Sequence, residues 1–257
     1  MPRTSAGSSL PATEHPSSFL NQAGGWYSWL VPRQILAIGG AGLSEPLLRR
    51  HIVELTGKPR PRVLYIPTAS GDSLDTIVAF YEAFAPVAEA SHLLLFHRQH
   101  EDLASVIGDQ DVIYVGGGNT ANMLAIWRLH GVDELLRQAW DSGTVLCGSS
   151  AGSICWFEAS ITDSFGPQLA ELRDGLGFLP GSNCPHYDSE ERRQPVYTRA
   201  VANGFPAGYA AEDAVALHFV DRELHEAVSA RRGSNGYRVE AQSGKAVERP
   251  LDVRFLG

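Results

Sequence analysis

Cysteine is scarce in this chain: there are three, Cys147, Cys155 and Cys184, in 257 residues. An odd number without metal-ligand spacing suggests neither a disulfide framework nor a zinc site, and such usage fits a reduced, cytoplasmic setting. No apolar run is long enough to cross a bilayer, so no membrane partner is expected. Basic runs are missing too, and a formal net charge of −8 argues against nucleic acid as a partner. No internal repeat and no second-domain linker interrupts the chain. A secretory signal is also absent: Arg3 is the only early basic residue, and no uninterrupted apolar core follows it. Residues 1–32, rich in Ser, Pro, Gly and Ala, read as a peripheral leader whose Trp26, Tyr27, Trp29 and Leu30 are suited to stick to a domain surface. What is present is ordinary globular material, 44% apolar and 19% charged. Residues 33–257 are long enough to bury a full core as one α/β domain.

Within that domain, short apolar runs alternate with helical spacing. Strands are expected at Gln34–Ile38, Pro61–Ile66, His92–Phe96, Asp111–Val115 and Thr144–Cys147. Helices are expected at Glu45–Thr56, 73–86, Thr120–Leu129 and Val132–Trp140. This alternation predicts a mostly parallel sheet with helices on both faces. In such sheets the site gathers outside the carboxyl ends of the strands, where the glycine-rich loops of this chain also fall. Residues 159–207 are dominated by loop signals. Short strands return at Tyr209–Ala211, Ala214–Phe219, Glu226–Ala230, Tyr237–Glu240 and Val247–Glu248, with Asn235-Gly236 as a hairpin-type turn.

The chain is organised around Gly148-Ser149-Ser150-Ala151-Gly152, which joins the last parallel strand to an apolar helix start. A serine in a tight, small-residue turn at that place is lifted off the sheet edge as a nucleophile elbow, its glycines allowing strain and close helix approach. A capped turn is the bland alternative. Val115-Gly116-Gly117-Gly118-Asn119-Thr120 likewise sits between strand and helix. Its open backbone N–H groups suit either an anion cradle or, with Ala151, an oxyanion hole. It lacks the spacing and the Lys-Ser/Thr of a phosphate loop, so no cofactor and no metal is expected. A nucleophilic serine needs a base. His186, in a loop after the elbow, is favoured over His218, which falls inside an apolar strand and reads as a packed sheet residue. The base in turn needs an orienting carboxylate, for which Glu212, Asp213 and Asp163 are the candidates.

Val115-Gly116-Gly117-Gly118-Asn119-Thr120, Ser150-Ala151-Gly152, Pro185-His186 and Glu212, in this order, resemble the peptidase E family of aspartyl dipeptidases, related to cyanophycinases. The resemblance runs from about Ile35 to the C-terminus. It implies a class I glutamine-amidotransferase-like (flavodoxin-like) α/β fold with short C-terminal antiparallel strands. It also implies a catalytic triad of Ser150 as nucleophile, His186 as base and Glu212 as orienter, with Gly117 and Ala151 as the oxyanion hole. Substrate contacts implied by the family fall to Arg192 or Arg193, for an aspartate carboxylate, and Asp163 is the candidate for a free α-amino group. Ser149 stands where the enterobacterial dipeptidases have Trp. The leading expectation is therefore a serine peptidase cutting small peptides at the N-terminal bond, with a homodimer left open. An esterase of the α/β-hydrolase type, using Asp163 before His186 in the chain, and a non-catalytic anion-binding domain are the competing readings.

Overall fold

The computed structural model describes residues 31–257; the aromatic cluster assigned to the leader, Trp26 to Leu30, lies outside the described residues. In chain order the first half runs β1 (Gln34–Ile38), α1 (Pro46–Leu55), β2 (Arg62–Ile66), α2 (Leu74–Phe84), β3 (Glu89–His92), α3 (Leu103–Gly108), β4 (Val112–Val115), α4 (Thr120–His130), α5 (Val132–Asp141) and β5 (Val145–Ser149). The second half runs α6 (Ala151–Ile154), β6 (Phe157–Thr162), β7 (Ala170–Leu172), β8 (Leu179–Cys184), α7 (Arg193–Ala202), β9 (Gly208–Ala211), β10 (Val215–Val220), β11 (Glu223–Ser229), β12 (Gly236–Gln242), β13 (Lys245–Pro250) and β14 (Val253–Phe255).

The strands form two sheets. An eight-stranded sheet has the order β14-β11-β10-β1-β5-β4-β2-β3, and its β1, β5, β4, β2 and β3 are all parallel. The antiparallel β10 and β11 extend it beside β1. Along β1 the side chains alternate: Ile35 and Ala37 join the core layer that holds Trp127 and Trp140 of α4 and α5, whereas Leu36 and Ile38 join that of Leu48, Ile52, Phe80 and Phe84 from α1 and α2. Both faces are covered, so β1, β2, β4 and β5 are buried along most of their length, whereas the edge strand β3 carries Glu89, Ser91 and His92. Each large side chain so buried contributes about 1.5–3 kcal/mol.

The second sheet, β13-β12-β9-β8-β6-β7, draws β7, β8 and most of β6 from the stretch that the sequence marks as loop, and β9, β12 and β13 from the short strands expected after it. Its core includes Ile161, Tyr187, Val201 and Phe205, with Tyr197 of α7 fully buried among them. The turn signal Pro180-Gly181-Ser182-Asn183 lies inside β8, where Ser182 and Asn183 are buried. Ser182 Oγ is satisfied there by the Tyr197 hydroxyl at 2.7 Å and the Pro206 carbonyl at 2.6 Å, which makes a polar strand residue tolerable in a core.

Two further expectations need correction. The third strand is Glu89–His92 rather than His92–Phe96, because the Asp72 carboxylate takes the N–H groups of Leu95 and Phe96 at 2.8 and 2.9 Å. The hairpin turn is at Ser243–Gly244, both with positive φ, between β12 and β13. Asn235-Gly236 instead leads into β12, and Asn235 is occupied by Glu212.

Candidate active site

The elbow forms as the sequence suggests. Ser150 has φ 56° and ψ −114°, a strained conformation between the end of β5 and the first turn of α6. The flanking glycines are required by close packing. A Cβ on Gly148 would lie 2.5 Å from the Val115 carbonyl oxygen, and one on Gly152 would collide with the same oxygen. The Ser150 amide donates to the Ile38 carbonyl at 3.2 Å, which ties the turn to the end of β1. Gly117, two residues past β4, packs beside it, so that a Cβ there would be 3.3 Å from Ser150 Cβ. The N–H groups of Gly117 and Ala151 have no hydrogen-bond partner among the described residues.

The two neighbours of Ser150 are engaged otherwise. Ser149 accepts from the Tyr114 hydroxyl at 3.3 Å. Ser153 is fully buried and accepts from Asn183 Nδ2 at 2.9 Å. Ser150 Oγ has no hydrogen-bond partner among the described residues.

His186 and Asp213 are brought together by the second sheet. Strands β8 and β9 are parallel neighbours, so their carboxyl ends emerge side by side. His186 stands two residues past β8 with φ 54°, and Asp213 two residues past β9. His186 Nδ1 donates to Asp213 Oδ1 at 2.9 Å, with both side chains about one-fifth exposed. Asp188 and Gly40 fix the acid's loop: the Asp213 amide donates to Asp188 Oδ1 at 2.8 Å, and the Ala214 amide to the Gly40 carbonyl at 3.0 Å.

This contact corrects the choice of acid. Glu212 faces away from His186. Its carboxylate accepts from the Asn235 amide at 2.7 Å and from the Tyr237 hydroxyl at 3.1 Å. Burial and that carboxylate together push the Tyr237 phenol up to about 12. Successive residues at the end of β9 point to opposite sides, so the two acids exchange roles with a single step in register. Gly40, which the sequence shows only as part of a glycine loop after β1, is a site residue. A Cβ there would lie 2.6 Å from His186 Cε1 and Nδ1 and would overlap Asp213 Oδ1.

The substrate-side candidates separate. Arg193 is buried, with Nη1 donating to the Ile161 carbonyl at 2.9 Å and Nε to Glu190 at 2.7 Å. Burial raises the Glu190 carboxyl, but the Arg193 hydrogen bond together with the charges of Arg193, His186 and Arg192 holds it below the ordinary range. With its guanidinium committed in this way, Arg193 is unavailable to a substrate. Arg192 is exposed, touching the Pro167 carbonyl at 3.1 Å and Gln168 at 3.4 Å. Asp163 is exposed on the Thr162–Ser164 loop. Asn119 Nδ2 holds that loop against the start of α4 by donating to the Ser164 carbonyl at 3.0 Å. No hydrogen bond joins Asp163 to His186 among the described residues.

A Gly-x-Ser-x-Gly turn thus follows the parallel strand β5, and the His186–Asp213 pair packs against Gly40, just past the neighbouring β1. The model of peptidase family S51 matches residues 35–227. The chain belongs to that family and is a peptidase. It is 48% identical over 231 residues to the uncharacterized peptidase YgaJ of Bacillus subtilis, covering 88% of this chain and 100% of the relative. A peptidase E of Shewanella denitrificans is 35% identical over 93 residues, 36% of this chain and 40% of that protein. Among solved structures, a peptidase from an acI-B1 Actinobacterium superposes with a TM-score of 0.63 at 17% identity, covering 89% of this chain and 98% of the other. A putative peptidase E protein from Listeria monocytogenes gives 0.57 at 16% identity, with 86% and 100% covered. Among the described residues no helix is long and apolar enough to cross a membrane.

Proposed function

We propose that the chain is a serine peptidase that removes the first residue of short peptides through an acyl-enzyme on Ser150, with a preference for an acidic first residue. The observation that supports this reading is the His186–Asp213 hydrogen bond beside Gly40, just past the end of β1, to which the Ser150 amide is also tied through the Ile38 carbonyl. Ser150 Oγ attacks the scissile carbonyl carbon while His186 Nε2 takes its proton. The resulting oxyanion is stabilised by the N–H groups of Gly117 and Ala151, each such donor being worth on the order of 3 kcal/mol of barrier. Collapse of the intermediate expels the amine, which leaves with the proton from His186. Water, deprotonated by the same imidazole, then releases the acyl group. Asp213 holds the Nδ1–H tautomer and stabilises the imidazolium.

Arg192 grips the acidic side chain of the first residue, because a guanidinium fork matches a carboxylate and Arg193 is already committed. Asp163 holds the free α-amino group, which restricts cleavage to the first bond. The peptidase E names among the relatives support a peptidase. The three cysteines are all buried and free, consistent with a reducing cytoplasm.

The esterase reading needs the acid before the histidine in the chain, and the exposed Asp163 makes no such contact with His186. Hydrolysis of Xaa-Leu dipeptides and their N-acetylated counterparts tests the proposal. Asp-Leu is expected to be cleaved fastest and the acetylated forms slowly or not at all. Equal rates for acetylated and free peptides would overturn amine recognition, and equal rates for Asp-Leu and Ala-Leu would overturn the arginine clamp.

A further inference from the structure

Away from the catalytic edge, on the face of the large sheet covered by α1, three side chains converge that the peptidase reaction does not use. His51 comes from α1, His218 from β10 and Glu226 from β11, where Glu226 is the register partner of His218. His51 Nε2 lies 3.7 Å and His218 Nδ1 3.8 Å from Glu226 Oε1, and the three ligand atoms are within 4.8 Å of one another. These separations are too long for hydrogen bonds. Both nitrogens are fully buried and have no hydrogen-bond partner among the described residues. The imidazole side chains themselves are only 9% and 5% exposed, so water does not readily satisfy them. An unpartnered polar atom in a core is costly, and two facing one carboxylate oxygen call for a common partner.

The surroundings prepare these atoms as donors to a cation. His218 Nε2 is bonded to Gln34 Oε1 at 3.1 Å; with the amide oxygen as acceptor, the proton sits on Nε2 and Nδ1 is left as a bare lone pair. Metal-bound histidines are commonly held in this way through the other nitrogen. Arg254 engages only Glu226 Oε2, at 3.0 and 2.7 Å, which leaves Oε1 directed at the histidines. His225 stacks edge-on against His218 from the exposed side of β11.

We infer that His51, His218 and Glu226 form a binding site for one divalent transition-metal ion, zinc by preference, with water as the fourth ligand. Two neutral imidazoles and one carboxylate are a donor set that zinc accepts. Neighbouring ligands of a tetrahedral zinc stand about 3.3 Å apart, so the observed triangle needs to contract by only about half an ångström at its two shorter edges. The ion ties α1 to the β10–β11 pair and acts on stability rather than on the chemistry at Ser150. The sequence gives no hint of it, because 167 positions separate His51 from His218, and His218 reads as a packed strand residue.

The test uses the full chain, stripped with a chelator and then titrated with Zn2+ or Co2+ alone. One equivalent of Zn2+ is expected to bind, and Co2+ is expected to give a visible d–d band that Zn2+ abolishes at one equivalent. At a hundredfold excess over Kd the melting temperature should rise by about 5–10 °C. His51→Ala, His218→Ala and Glu226→Gln should each weaken binding at least tenfold, whereas His130→Ala, on the distant end of α4, should not. No heat and no Co2+ band with the wild type, or undiminished binding in the His51→Ala/His218→Ala double variant, would overturn the site. If those variants do not fold, an anomalous-scattering peak in a Zn2+-soaked crystal of the wild type decides. A peak between the three side chains supports the site, and a peak elsewhere or none refutes it.

Discussion

Replacing Gly40 with alanine probes the pairing of base and acid without touching either. The new methyl carbon would lie 2.6 Å from two atoms of the His186 ring, and would overlap Asp213 Oδ1, whereas ordinary contacts begin at 3.4 Å. The imidazole must therefore retreat by about 0.8 Å, or the carboxylate must swing away, and the backbone of neither residue needs to unfold. A misplacement of this size at a reacting group costs about 10²-fold in rate. Overpacking at one site costs about 1–3 kcal/mol of stability, which lowers the melting temperature by only a few degrees to about ten. The assay is kcat/KM on a dipeptide, read beside the melting temperature and the rate at which a fluorophosphonate labels Ser150, which depends on no substrate preference. Gly108→Ala, where a Cβ meets nothing within 4 Å, is the control. A Gly40→Ala protein that is folded and both hydrolyses and labels at the wild-type rate would refute the placement of His186 and Asp213 in the machinery.

Three other outcomes follow from the same geometry. Asp213→Asn should lower kcat by about 10³–10⁴-fold with KM little changed. Glu212→Gln should instead leave kcat within a fewfold and reduce stability by about 1–3 kcal/mol through its bonds to Asn235 and Tyr237; the reverse pattern in steady-state kinetics and melting curves would restore Glu212 as the acid. Arg192→Ala should raise KM for Asp-Leu by about tenfold or more and leave Ala-Leu unaffected, whereas Arg193→Ala should show its effect first in thermal melting, because the buried Ile161 carbonyl loses its donor. The native protein should resist thiol reagents at pH 8 and show three reactive thiols only after denaturation. Burial raises all three, Cys184 to about 12, and fast labelling of the folded chain would contradict their placement.

The sequence reveals the elbow well because its chemistry is local. Gly148 and Gly152 flank Ser150 in one pentapeptide, and the strand and helix on either side are read from apolar spacing. The parallel sheet is equally legible, since continuous apolar runs such as Gln34–Ile38 and Asp111–Val115 separate amphipathic helices. Half of the second sheet is not, because β6, β7 and β8 are short and carry Ser182 and Asn183 into the core, where the distant Tyr197 and Pro206 satisfy Ser182 and Ser153 accepts from Asn183. The choice between Glu212 and Asp213 lies in the same blind spot. Adjacent acids look alike in a chain, and only the pairing of β8 with β9, and of Asn235 with Glu212, separates them. Arg192 and Arg193 divide for the same reason: Arg192, just before α7, stays at the surface, and Arg193, the first residue of that helix, is drawn into the core by Glu190 and Ile161. Gly40 carries no signal at all until His186 is folded against it.

Mass spectrometry after reaction with a fluorophosphonate addresses the nucleophile itself. A single adduct is expected, on the peptide that carries Ser150, and it should vanish in Ser150→Ala together with dipeptide hydrolysis, while Ser149→Ala and Ser153→Ala keep it. Labelling of a different residue, or a Ser150→Ala protein that still hydrolyses dipeptides near the wild-type rate, would contradict serine catalysis at this turn.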